Sequence, residues 1–468
     1  MHAELSLVNT KSTVIALSVL GVAMLFLFRI AAPSKGVADI AWFLKLVVIQ
    51  SVIYLAVAWL SLRSRDSRSI LLIGLVFAAL FRLSIIFFPP YLSDDIYRYI
   101  WDGRVQAAGI NPYRYIPAEE PLAQLRDDKI YPHINRRETV RTIYPPVGQA
   151  MFLVVTRFSE SVTWMKAAMV GFEAIAIWAI IQLLSSLGFA RQRALIYAWH
   201  PLAVWEFAGS GHADALAIAF IALALLARRK NTETLTGVLL ACATCVKLFP
   251  VVLFPALYTR KSWKMPLAFV ATILIAYLPY LSVGPMRVLG SLPAYSSEQG
   301  LVSGRQYFLL TLVRQLLNAE VPTVAYFIFV AAVLGILSLW MMRDRAGDDT
   351  RYLRNGLLIA SLFMLFQAPH FSWYFTWLIP FLCFIPSIPF FYLTLANFVL
   401  YLTWLNDTPN RVVIYKVIIF APFLVLGLIA IWLRLRSAKN TPKAFANFSP
   451  GFERSENPGS PSNKGVQP

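Results

Sequence analysis

The chain has 468 residues, of which 58% are hydrophobic and 14% charged, with a mean hydropathy of +0.62. A soluble domain carries nearer to roughly 25% charged residues. The apolar residues here also gather into runs of about 20, the length that crosses ~30 Å of hydrocarbon, so a soluble globular protein is excluded. Lys and Arg outnumber Asp and Glu by 42 to 24, a net +18; cations accumulating in cytoplasmic loops account for that balance without a nucleic-acid partner.

The expected class is therefore all-α, a polytopic protein of about 11–13 membrane helices, some of them short or re-entrant. Lys11 precedes an apolar run from Thr13 to Phe28. A signal peptide looks similar, with Ala31-Ala32-Pro33 as a weak cleavage region, but the run is long and further spans follow. It reads as an uncleaved first helix near 13–31, followed by spans near 39–61 and 70–90. The loop from Arg63 to Arg68 is short and basic, hence cytoplasmic. That orientation puts the N-terminus inside and everything directly after Pro90 outside.

Residues 93–143 form a polar first outer loop, expected to hold one or two short helices lying on the outer surface. Tyr144-Pro145-Pro146 leads into Val147–Phe158, which dips back towards the membrane before a helix near 162–187. Arg191 and Arg193 mark a cytoplasmic turn. The stretch 194–228 holds two short apolar runs separated by Ala208-Gly209-Ser210-Gly211-His212-Ala213. In the run 235–257 a single crossing would leave Arg260, Lys261 and Lys264 outside. Lys247-Leu248-Phe249-Pro250 at its centre instead predicts a broken hairpin, which non-helical backbone at membrane depth permits only inside protein or a polar cavity. A span near 265–283 leads to a second outer loop, 284–320, and further spans fall near 322–342, 356–369, 372–386, 389–405 and 412–433. Residues 1–433 are thus expected to be one membrane domain. The tail 434–468 is expected to be cytoplasmic, from basic Arg434, Arg436 and Lys439, and disordered, since 441–468 is rich in Pro, Ser, Asn and Gly. Cys242, Cys245 and Cys383 all lie in apolar stretches, and the Cys242–Cys245 spacing lacks the second pair that a metal site would want.

Chemistry enters at Leu92-Ser93-Asp94-Asp95-Ile96-Tyr97-Arg98-Tyr99-Ile100-Trp101-Asp102-Gly103-Arg104. If this segment is helical, Asp94, Arg98 and Asp102 share a face, with Asp95 beside them and Tyr97, Trp101 and Arg104 near one another. Carboxylates, cations and aromatic rings side by side suit a polar, partly ring-shaped substrate. The plainer account is a helix cap at Asp94 with Arg98 as its partner. Charged groups inside apolar segments are costly and so are functional candidates. Glu206, His212 and Asp214 either line a cavity or tie two short helices together. Lys247 either holds a phosphate as a point charge or snorkels to an interface. His370, beside Trp373 and Tyr374, has the means to donate to a phosphate oxygen. Arg305 in the second outer loop either pairs with a phosphate or faces lipid headgroups.

The run Ser93–Arg104, with Gly109-Ile110-Asn111-Pro112-Tyr113, resembles the first outer loop of GT-C class membrane glycosyltransferases, above all bacterial mannosyltransferases that use polyprenyl-phosphate sugars. Tyr144-Pro145-Pro146, Glu206 with Gly211-His212-Ala213-Asp214, Lys247-Leu248-Phe249-Pro250 and His370-Phe371-Ser372-Trp373-Tyr374 look like that family's later motifs in matching order. Ala213 stands where some relatives have Asn. The resemblance, from about residue 90 to 385, implies a sugar carried on a polyprenyl phosphate and a glycan or glycolipid acceptor. It also implies inverting transfer on the outer face of the cell membrane, with a first-loop aspartate taking the acceptor's proton. Asp94 and Asp95 are the candidates, and the sequence does not separate them. The phosphate leaving group accumulates charge that Lys247, Arg305 or His370 could receive. No metal or other cofactor is called for. Two other readings compete. A transporter or flippase for a lipid-linked or anionic solute also uses broken helices and buried charge. A phosphatase or ligase on the same lipid carrier would want paired histidines or a stronger nucleophile.

Overall fold

The structure is a computed structural model, and it describes residues 8–32, 39–260, 262–290, 302–304, 307–343 and 349–439. Arg305 and the tail from residue 440 lie outside the described residues. Helices dominate throughout. Among the described residues the β-structure amounts to one isolated bridge between Val8 and Ser64.

The first three helices are α1 (Thr10–Ala31), α2 (Ile40–Arg63) and α3 (Arg68–Ile85). Asn9 caps α1 by accepting from the Lys11 N–H at 2.9 Å. On α1, Ile15, Val19, Val22 and Phe26 are exposed while Leu17, Met24 and Phe28 are buried. A helix with one face against protein and an equally apolar outer face is facing lipid. The first loop holds α4 (Asp95–Ala107) and 3-10 turns at Glu120–Leu125 and Tyr131–His133. Pro146 then starts α5 (Pro146–Thr156) in the first turn, where a missing N–H forfeits no intrahelical bond. Ser161 caps α6 (Val162–Ser186), its Oγ accepting from the Trp164 N–H at 3.1 Å. After short turns come α7 (Asp214–Arg229) and α8 (Glu233–Thr244), then α9 (Lys264–Tyr277), α10 (Phe308–Leu317), α11 (Thr323–Arg343), α12 (Arg351–Gln367), α13 (Ile388–Ala396) and α14 (Pro409–Lys439).

Among the described residues seven helices are long and apolar enough to cross a membrane: α1, α2, α3, α6, α9 with its extension to Val283, α11 and α14. The protein is a multi-pass membrane protein. The other apolar runs make shorter helices, and the region expected as spans near 372–386 and 389–405 is the clearest case. Prolines at 380, 386 and 389 break it into a 3-10 turn at Ser372–Leu378, a single helical turn at Ile379–Leu382, and α13 running on into a second 3-10 segment, Asn397–Trp404. The run 235–257 is also broken: α8 ends at Thr244, the chain turns through Cys245–Leu248, and a 3-10 turn at Phe249–Leu253 packs back against α8.

Two compact units result, Met1–Phe423 and Leu424–Pro468. In the first, one continuous apolar core links α1–α3, α6 and α7 to the turns around 195–208 and 372–384. In the second, the described part is the end of α14, where Arg436 lies 5.2 Å from the Trp432 ring.

Candidate functional site

The first loop is built around α4. Asp94 occupies its N-cap position yet makes no capping bond; the neighbouring Ser93 Oγ accepts from the Asp95 N–H at 3.2 Å instead. Arg98 does not turn to Asp94 either. Its Nε donates to Asp102 Oδ1 at 2.8 Å and its Nη1 to the Val140 carbonyl at 3.0 Å. Asp102 is completed by Gln149 Nε2 at 3.0 Å, which also donates to Thr142 Oγ1 at 2.7 Å. Arg104 clamps Asp127 and Glu160, each at 2.8 Å, and Trp101 is buried with its ring 5.5 Å from Tyr131. Gly103 lets α4 lie directly on α5, because a Cβ there would fall 2.5 Å from the Phe152 carbonyl oxygen.

That leaves the paired aspartates. Asp95 Oδ1 accepts from Asn135 Nδ2 at 3.0 Å. Among the described residues no hydrogen bond or ion pair reaches the Asp94 carboxylate. Loss of water around it, and then the charge of Asp95, push its pKa above the usual aspartate value, with His133 opposing. Asp127 goes the other way: burial alone would raise it, but Arg104 and the Ile130 and Tyr131 N–H groups hold it well below the usual range.

Asp94 and Asp95 open onto a cavity of about 280 Å³ that the far half of the chain completes. Arg98 of α4 and Asn135, Arg136, Arg141 and Tyr144 of the loop line it, as do Lys247, Phe371, Trp373, Tyr374 and Trp404. Lys247 arrives through the break between α8 and Phe249. The Val147 and Gly148 N–H groups pin that break by donating to the Cys245 carbonyl at 2.9 and 3.1 Å. Its Nζ lies 3.1 Å from Asp214 Oδ2 and sits 5.8 and 5.3 Å from the Tyr144 and Tyr374 ring centres.

Glu206 and His212 stand behind this wall. Trp205–Gly209 forms a π-turn, a local widening often found near functional sites. Gly211 (φ +77°) turns the chain back where a Cβ would meet Ile96 at 2.4 Å. His212 Nδ1 is 2.9 Å from Glu206 Oε2, and the Tyr401 hydroxyl donates to Glu206 Oε1. The His212 ring packs 4.3 Å from Trp373, whose other neighbour is Phe371 at 4.4 Å and nearly parallel.

The candidate residues thus divide. Asp94, Asp95, Arg98, Tyr144, Lys247, Trp373 and Tyr374 meet on one cavity, and Asp214 reaches it through Lys247. Trp101, Asp102 and Arg104 brace the loop, Glu206 and His212 support Trp373, and His370 packs edge-on against Phe371 without itself lining the cavity. Sequence reasoning missed Asn135, Arg136, Arg141, Phe371 and Trp404 as lining residues, and Tyr401 as the partner of Glu206. The run Asn135-Arg136-Arg137 just before Tyr144 was the available signal for the first two. Among the described residues no group of three or more His, Cys, Asp or Glu side chains converges as a metal site.

Two carboxylates, a half-buried lysine and aromatic rings share one cavity of an all-α membrane protein, and its likeness to known proteins makes it a GT-C-like glycosyltransferase. A family model described as Alpha-(1->6)-mannopyranosyltransferase, N-terminal domain, matches residues 9–260, and the chain belongs to that family. It is 24% identical over 322 residues to alpha-(1->6)-mannopyranosyltransferase A of Mycobacterium tuberculosis (strain ATCC 25618 / H37Rv). That match covers 62% of this chain and 60% of the relative.

Proposed function

We propose that the protein transfers a mannosyl group from a polyprenyl-phosphate donor to a glycan or lipid-linked acceptor, with inversion, on the outer face of the cell membrane. The N- and C-termini would then be cytoplasmic, as the basic loops argue. One observation carries the reading: a carboxylate without a partner among the described residues, Asp94, shares a cavity with Lys247 and the rings of Tyr144 and Tyr374.

In this reading the acceptor hydroxyl attacks the anomeric carbon and gives its proton to Asp94. The bond from that carbon to the phosphate oxygen breaks, and the leaving phosphate monoester gains negative charge. A raised pKa suits Asp94 to this work, because a base accepts a proton best when its pKa lies closer to the operating pH. Lys247, held by Asp214 and flanked by the Tyr144 and Tyr374 rings, would meet the phosphate. Asp95, tied to Asn135, would tune Asp94 rather than replace it. The acceptor would enter from the side of the loop that carries Asn135 and Arg136.

The test is transfer of labelled mannose from a polyprenyl-phosphate donor in membranes carrying wild type, Asp94→Asn or Asp95→Asn. Loss in Asp94→Asn with donor binding retained is expected. Full transfer by Asp94→Asn would end the proposal.

A further inference from the structure

The loop segment facing Asp94 carries a backbone anomaly. Among the described residues four that are not glycine have positive φ: Arg136 (52°), Asn231, Asn318 and Ala368. Asparagine tolerates this left-handed region, but a long β-carbon-bearing cation does so at a steric cost that glycine escapes. The turn at Arg136 is tightly made, its carbonyl accepting from the Thr139 and Val140 N–H groups at 3.1 and 3.0 Å. It is fastened to α4 on both sides, by Asn135 to Asp95 and by Arg98 to the Val140 carbonyl. A turn needed for its shape alone would be better served by glycine. The chain instead keeps a guanidinium there, and that side chain lines the cavity beside Asp94. Strain retained on a cavity wall is a reason to look for a ligand.

We propose that Arg136 is a substrate-binding residue, contacting a phosphate ester carried by a substrate in the cavity that Lys247 also lines. The inference rests on the glycosyl-transfer reading and adds to it a second anion contact. Two sources share that chemistry: the donor's own phosphate, or a phosphate on the acceptor glycolipid.

The experiment uses the full-length protein in membranes and in detergent. Michaelis constants are measured for polyprenyl-phosphate mannose, for a mannosylated phosphoglycolipid, and for a mannoside of the same length without phosphate. In Arg136→Gly the unfolding temperature should stay or rise, while the KM of one phosphate-bearing substrate rises by about tenfold or more, as expected for loss of a charge-assisted contact. A rise in the donor KM assigns the contact to the donor. A rise for the phosphoglycolipid with none for the uncharged mannoside assigns it to the acceptor. Arg136→Asn, which also tolerates the left-handed backbone, should repeat the result, and Arg136→Lys should retain more affinity than Arg136→Gln. Unchanged KM for both phosphate-bearing substrates in Arg136→Gly and Arg136→Asn overturns the assignment, as do equal KM values in the Lys and Gln variants. If Asp94→Asn is dead while Arg136→Gly binds normally, this inference alone fails; if Asp94→Asn still transfers, the functional reading fails with it.

Discussion

Two groups of carboxylates in this protein are handled in opposite ways. Glu173, Asp102 and Glu206 are buried, and each is fully engaged: Glu173 by Arg82, with Nε to Oε2 at 2.6 Å, Asp102 by Arg98 and Gln149, Glu206 by His212 and Tyr401. Asp94 opens on a cavity and has no partner among the described residues. A buried charge without compensation is costly, and each carboxylate of the first group is compensated by its partners. Asp94, exposed on a cavity it shares with Lys247 and aromatic rings, is in the proposed reading free to exchange a proton. On the proposed function, carboxylates thus divide into brace and reagent according to what surrounds them.

The sharpest break of that contrast is Asp94→Asn. It should lower transfer by about 10²–10⁴-fold, the usual worth of a positioned base, while the unfolding temperature in detergent stays within error of wild type. A large drop in stability would move Asp94 into the bracing group.

Glu173→Ala should behave in the reverse manner. It leaves Arg82 buried, though Arg82 keeps its bonds to the Ala78 and Ala198 carbonyls at 2.7 and 2.9 Å. Removing one partner of a buried pair costs about 3–5 kcal/mol, to be read as lost folded yield and a lower unfolding temperature. Whatever protein remains folded should bind donor with wild-type KM. A specific kinetic defect in stable protein would contradict the division.

Lys247→Met sits between the two, since Lys247 is both paired and on the cavity. It should raise the donor KM by about tenfold, the scale of one lost charge-assisted contact, and destabilise modestly by leaving Asp214 alone. Pairing it with Asp214→Asn should restore the stability and not the KM. Recovery of both would make the lysine purely structural.

How much of this was legible in the sequence follows from the range of the forces involved. The helix after Asp94 and the i,i+4 relation of Arg98 and Asp102 are local, and the spacing held them. That spacing left open which end of the trio was spoken for, because the deciding partner, Gln149, comes from another helix. Pro250 announced the break at Lys247. Nothing local announced that Asp214 would meet that lysine, or that Tyr401 would reach Glu206 from 195 positions along the chain. The left-handed turn at Arg136 carries no signal either, since sequence marks such turns with Gly or Asn. Apolar runs were visible, but the prolines between 380 and 389 divide the stretch 372–386 into short turns, while Ile388–Trp404 stays one apolar helix.

The smallest expected effect is the most discriminating. Asp95→Asn keeps an oxygen for the Asn135 amide, so the loop should hold its shape, but it removes the negative charge that helps raise the Asp94 pKa. The base works as a carboxylate, so kcat/KM falls as pH drops through that pKa. With Asp95 neutral the Asp94 pKa moves back towards the ordinary aspartate value. The acidic limb should therefore shift to lower pH. Above the limb the variant should run somewhat slower, its base being weaker, and well below the limb it should be the faster. A limb that stays in place, or moves upward, would mean that the titrating group is not Asp94, and the line between brace and reagent would have to be drawn elsewhere.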